Sequence, residues 1–149
     1  MFTVHHISSY FLSLSAPESG EGMSHLKLQK LCYYAQGFYL AQYDKPLFSE
    51  VIEAWQHGPV VPDLYQEYKT MGYNFIPPPK INIDIYPSDI VEFLDEVYEV
   101  YGQFSAWKLR DMTHMESPWI EAFNNQNNNV ITHDSMKNYF KTLLQPTVE

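Results

Sequence analysis

Apolar residues recur at helical spacing along most of the chain. Ile7, Tyr10, Phe11 and Leu14 fall three or four apart and predict a helix from about Thr3 to Leu14, ended before Pro17. Residues 17–22 read as a surface loop. After Ser24, a residue type that caps helices by accepting a backbone N–H, Leu28, Leu31, Cys32, Ala35, Phe38 and Tyr39 give the best amphipathic pattern in the chain. Asp44-Lys45-Pro46 ends that helix. Leu47-Phe48 and Ile52 to Trp55 flank Ser49-Glu50 in the manner of a short hairpin.

Gly58-Pro59 is punctuation, and Pro62 stands where a first helical turn tolerates proline, ahead of Leu64, Tyr65 and Tyr68, with Gly72 as a stop. Pro77-Pro78-Pro79 is extended, and Ile81, Ile83 and Ile85 alternate with polar residues as an edge strand does. From Ser88 to Tyr101 the apolar positions 90, 94, 97, 98 and 101 predict a helix ended by Gly102. Ser105 and Ser117 are caps for two short helices, the second with Pro118 at its first position. The Asn/Gln run from Asn124 to Asn129 is a polar loop. Thr132 opens a last helix striped by Met136, Tyr139, Phe140, Leu143 and Leu144 before Pro146. The pattern predicts a compact, mainly α fold of about seven helices with a small β-hairpin, in one domain over residues 1–149.

Composition narrows what such a fold does. The 149 residues carry 18 acidic and 9 basic side chains, a formal charge of −9, which argues against an isolated nucleic-acid-binding module. Aromatic residues make up 16%, so there is bulk enough for a large core. The single cysteine, Cys32, cannot form an internal bridge and suits a reducing compartment; on the apolar side of its helix it reads as a buried, inert thiol. No run approaches the roughly 18 apolar residues of a spanning helix. The N-terminus lacks the basic start and apolar run of a secretion signal. The expected location is the cytoplasm.

Six carboxylates, Asp84, Asp89, Glu92, Asp95, Glu96 and Glu99, lie in a window without Lys or Arg. Glu92, Asp95, Glu96 and Glu99 share one helix face, which is either a solubilising surface or a docking stripe for a basic protein. Lys27 and Lys30, beside Tyr33 and Tyr34, form a second candidate surface; adjacent tyrosines point to different helix faces, so one is expected in the core and one outside. Asp111 and His114 are three apart, but a metal bundle needs paired ligand helices and only one loose copy is present. No metal or other cofactor is expected. An enzyme would need His114, Glu116 or Asp111 to converge in a pocket; no Gly-rich phosphate loop or nucleophile elbow supplies another anchor.

Three blocks in order resemble the Panacea antitoxin domain family, also described as SocA-like and found in phages and mobile elements. The first runs from Leu26 to Leu31 and through Tyr33-Tyr34-Ala35 to Ala41; the second holds Lys45 to Phe48 and Glu53 to Val61; the third holds Tyr101-Gly102, Ser105-Ala106, Leu109, Thr113-His114, Pro118-Trp119 and Ala122. The resemblance implies a helical, non-enzymatic antitoxin that neutralises a cognate toxin, encoded by an adjacent gene, by direct protein contact. Some members look like adaptors that deliver the toxin to a protease. The matched residues Leu28, Leu31, Tyr34, Ala35, Gly58, Pro59, Val60, Pro118 and Trp119 look architectural. Gln29 and Lys30 are polar within an apolar motif and are expected to order Thr113 and His114 through hydrogen bonds or to touch a partner. Self-association stays open.

Overall fold

The computed structural model describes residues 2–144. Among them are seven α-helices and a three-stranded antiparallel sheet. Helix α1 (Val4–Ser13) starts from a reciprocal cap: Thr3 Oγ1 accepts from the His6 N–H while His6 Nδ1 accepts from the Thr3 N–H. Helix α2 (His25–Tyr43) is capped by Ser24, whose hydroxyl accepts from the Lys27 N–H. Pro62 opens α3 (Pro62–Tyr68), and a 3-10 turn at Lys69–Met71 carries the chain to Gly72. Helices α4 (Ser88–Tyr101), α5 (Ala106–Thr113), α6 (Ser117–Phe123) and α7 (His133–Leu143) follow, with Ser105 and Thr132 as side-chain caps for α5 and α7. Glu116 occupies the N-cap of α6, so Pro118 is its second residue rather than its first. The expected stop at Pro146 lies outside the described residues.

Helix α2 is the axis of the fold, and it is not the amphipathic surface helix that its pattern predicts. Its buried residues occupy nearly every direction around the helix and include Gln29, Lys30, Gln36 and both Tyr33 and Tyr34. A helix packed on all sides belongs to the centre of a core, and α1, α3, α4, α5 and α7 pack around it. Where α7 crosses α2, the Phe140 ring lies against Gly37, edge-on to Tyr33 and Tyr34 and 4.7 Å from the Phe38 ring centre. Glycine is required there because a methyl group would overlap the ring.

The hairpin also differs from the expected one. Strand β1 (Ile52–Trp55) pairs with β2 (Gly58–Val60) across Gln56 and His57, in the register Ala54 to Pro59, and with β3 (Val130–Ile131) on its other side. Gly58 sits at φ +113°, a backbone state that side chains with a Cβ rarely adopt. Leu47 and Phe48 form no strand beside β1 because Gln36 claims their backbone: its Oε1 accepts from both N–H groups, at 2.7 and 3.3 Å, and its Nε2 donates to the Phe48 carbonyl at 2.7 Å. The expected edge strand at residues 81–85 is a 3-10 turn, Ile83–Ile85, nucleated by Asn82, whose side chain accepts from the Asp84 N–H; Ile83 and Ile85 are exposed, so alternation there reflects no buried face.

Replacing Gly37 with Ala forces the Phe140 ring out of its site. Overpacking of this kind costs about 1–3 kcal/mol, read as a lower urea midpoint with an unchanged denaturant slope.

Candidate functional site

Lys30, Tyr33 and Tyr34 lie three and four apart, so one side of α2 carries an ammonium followed by two phenols. The corner between α5 and α6 lies along that side. Glu116, buried at the start of α6, accepts from the Tyr33 hydroxyl at 2.9 Å and from the Tyr34 hydroxyl at 2.8 Å, one on each carboxylate oxygen. Burial lifts the Glu116 carboxyl to about pH 7, against the opposing pull of the two hydroxyl donors, and it holds both phenols well above their ordinary range. Tyr34 stacks on Tyr101 at 4.0 Å, joining α4 to the same cluster.

One turn earlier, the completely buried Lys30 side chain lies against Gly58 and Thr113: a Cβ at Gly58 would meet Lys30 Cε at 2.7 Å and Thr113 Oγ1 at 2.9 Å. The Thr113 hydroxyl donates to the Arg110 carbonyl, and Lys30 Nζ has no hydrogen-bond partner among the described residues. Burial, aided by the charge of Arg110, brings the Lys30 ammonium down to about pH 7. His114 stacks on Trp119 at 4.1 Å, and Trp119 Nε1 donates to the Trp55 carbonyl, which ties α6 to β1. His114 Nε2 is likewise without a partner, and burial lowers the ring's proton affinity.

The other polar motif residue serves the β2–α3 junction rather than Thr113 and His114. Gln29 Oε1 accepts from the Val61 N–H at 2.7 Å, and its Nε2 donates to His25 Nε2 at 2.8 Å. His25 is buried and held neutral down to about pH 4, mainly by desolvation.

The two tyrosines expected on opposite faces are both in the core, so α2 offers no exposed basic-aromatic surface. Lys30 is withdrawn from solvent. Lys27 is half-buried, and its Nζ donates at 2.6 Å to the Gly102 carbonyl, where a cation also complements the C-terminal end of the α4 dipole. The acidic face survives: Glu92, Asp95, Glu96 and Glu99 are exposed along α4 while Ile90, Phe93, Leu94 and Val97 enter the core. Asp95 has a second task, accepting from the Tyr10 hydroxyl of α1 at 2.5 Å. Asp111 pairs with the adjacent Arg110 at the surface, and no group of three metal-ligating side chains is gathered among the described residues. Cys32 is fully buried, which raises its thiol well above the ordinary range.

The tyrosine–glutamate cluster has a pH signature. In the unfolded chain Glu116 ionises near pH 4.5 and in the fold near pH 7, so between those values the folded state holds a proton that the unfolded state has released, and the stability contributed by this group falls as pH rises through the window. Tyr34→Phe removes a donor from the carboxylate while keeping the ring stack. It is expected to cost about 2 kcal/mol at pH 8, where the acceptor is charged, and about half that at pH 5, by urea denaturation; adding Glu116→Gln abolishes the difference.

Comparison with known proteins places these blocks together in one family. The family described as "Antitoxin SocA-like, Panacea domain" matches residues 28–120, which take in most of α2, the hairpin, α5 and the start of α6 with Glu116. Antitoxin SocA of Caulobacter vibrioides (strain NA1000 / CB15N) is 32% identical over 120 residues, covering 72% of this chain; the matched part spans 64% of that relative's length. No solved structure matches. The helix that carries Gln29, Lys30, Tyr33 and Tyr34, and the loops those side chains hold, are therefore those of a SocA-like Panacea domain, and the chain belongs to that antitoxin family.

Proposed function

We propose that this chain is the antitoxin of a toxin–antitoxin pair and that it neutralises a cognate toxin, encoded by an adjacent gene, by direct contact rather than by catalysis. Family membership carries the reading. The chemistry of the buried groups supports it. Glu116 is bonded to two phenols, Gln29 and Gln36 to backbone groups, and Asp95 and Lys27 to neighbouring helices, so these side chains hold the fold together.

The contact surface is assigned to α4. Glu92, Glu96 and Glu99 project a field that attracts a basic partner, and beside them an apolar groove of about 160 Å³, lined by Phe38, Phe93, Val97, Val100, Tyr101 and Leu144, offers a seat for an apolar side chain. An apolar centre bordered by charge is the ordinary anatomy of an interface, here of standard size, roughly 1,200–2,000 Å² in total. No helix among the described residues is long and apolar enough to cross a membrane.

Co-expression with the adjacent gene product is expected to restore growth and to yield a stoichiometric complex; rescue by sub-stoichiometric antitoxin with turnover would replace contact by catalysis. Replacing Glu92, Glu96 and Glu99 with Gln, and leaving Asp95 to hold Tyr10, is expected to slow association about tenfold at low salt and much less at high salt. Equal rates for parent and variant at low salt would remove α4 from the interface.

A further inference from the structure

Among the described residues this acidic chain forms a cleft whose lining holds no carboxylate. Between the N-terminal half of α2, the β1–β2 turn and the end of α3 lies a cavity of about 470 Å³, within the size range of small-molecule sites. Its twelve lining residues among those described include Lys30, Lys69, His25 and His57 and not one Asp or Glu, in a sequence with twice as many acidic as basic side chains. Trp55 and Tyr65 form a wall, their rings edge to face at 5.0 Å, and the mostly exposed Tyr73 stands at the rim.

Lys30 is the feature that the fold does not explain. Gln29, Gln36, Tyr33 and Tyr34 on the same helix all find partners, whereas the Lys30 ammonium is buried without one among the described residues, beside another cation, Arg110. A buried ammonium without an anion is costly enough that it is usually replaced or neutralised. Asp111, the nearest carboxylate in sequence to Arg110, turns outward to pair with it at the surface. His57 adds a donor of defined polarity: its Nδ1 accepts from Arg110 Nε at 3.2 Å, which leaves the ring proton on Nε2. Lys69 at the rim, the fully buried Lys30, the His57 imidazole and an aromatic wall line one cleft, a set complementary to a phosphate carried on a planar ring system.

We propose that this cleft binds a small organic phosphate of nucleoside-monophosphate size, with Lys30 as counter-charge to the phosphate and the ring seated against Trp55 and Tyr65. No residue of α4 lines the cleft, so the proposal stands independently of the toxin contact assigned there.

Titration of the full chain with AMP, inorganic phosphate and adenosine, followed by amide chemical shifts, tests this. AMP is expected to bind saturably, with shifts concentrated on Trp55, His57 and Gly72; inorganic phosphate is expected to compete, and adenosine to bind at least tenfold more weakly. Lys30→Met is expected to lose AMP binding about tenfold or more while melting a few degrees higher, because it removes the unpartnered charge. Lys69→Gln, on the exposed rim and independent of core packing, is expected to weaken AMP several-fold and so decides the matter if Lys30→Met does not fold. No AMP response up to about 10 mM, equal affinity for adenosine, or AMP binding unchanged in a folded Lys30→Met or in Lys69→Gln would overturn the proposal.

Discussion

The fold depends on satisfying polar groups inside a helix that has no outside. Because α2 is packed on nearly every side, its buried polar side chains need hydrogen bonds from within the protein, and an unmet buried group costs about 1–3 kcal/mol; Gln29, Gln36, Tyr33 and Tyr34 find theirs, and Lys30 does not among the described residues. The partners come from distant segments. Gln36 holds the Leu47–Phe48 backbone, Gln29 holds Val61 at the entrance to α3, and Tyr33 with Tyr34 holds Glu116 at the entrance to α6. Apolar burial drives these segments together, but hydrogen-bond geometry decides where along α2 each one stops.

This division explains what could be read from the chain beforehand. Four of the seven helices were legible from local caps, since Thr3, Ser24, Ser105 and Thr132 each accept from a backbone N–H within the first turn, and the other three from apolar spacing, helped at α3 and α6 by a proline in the first turn. The place of α2 was not legible, since Lys30, Gln36 and the tyrosines register as polar in any periodicity and only their distant partners put them in the core. For the same reason the hairpin was expected one segment too early. Leu47-Phe48 looks like a strand, and its partner is a side-chain amide eleven residues back that no pattern of alternation records.

The candidate site divides likewise. The acidic stripe of α4 needed only helical spacing, and it is exposed as expected. Glu116 could be suspected from the two consecutive phenols in an apolar helix, which require an acceptor, but nothing local names it. By sequence Lys27 and Lys30 read as one surface. The fold separates them, one to the carbonyl end of α4 and the other into the wall of a cleft facing β1 and β2.

The small sheet limits how another protein can take hold of this one. Its outer strands are β2, three residues long with Pro59 in the middle and every residue buried, and β3, two residues long. A peptide cannot extend such a sheet: proline supplies no N–H on one side, and the other side offers too few backbone groups for a ladder. That closes strand addition as a way of holding this domain and leaves contacts made by surface side chains, where residues can be exchanged one at a time without disturbing a backbone register. A domain built this way can change its partner by surface substitution while its clamped interior stays as it is.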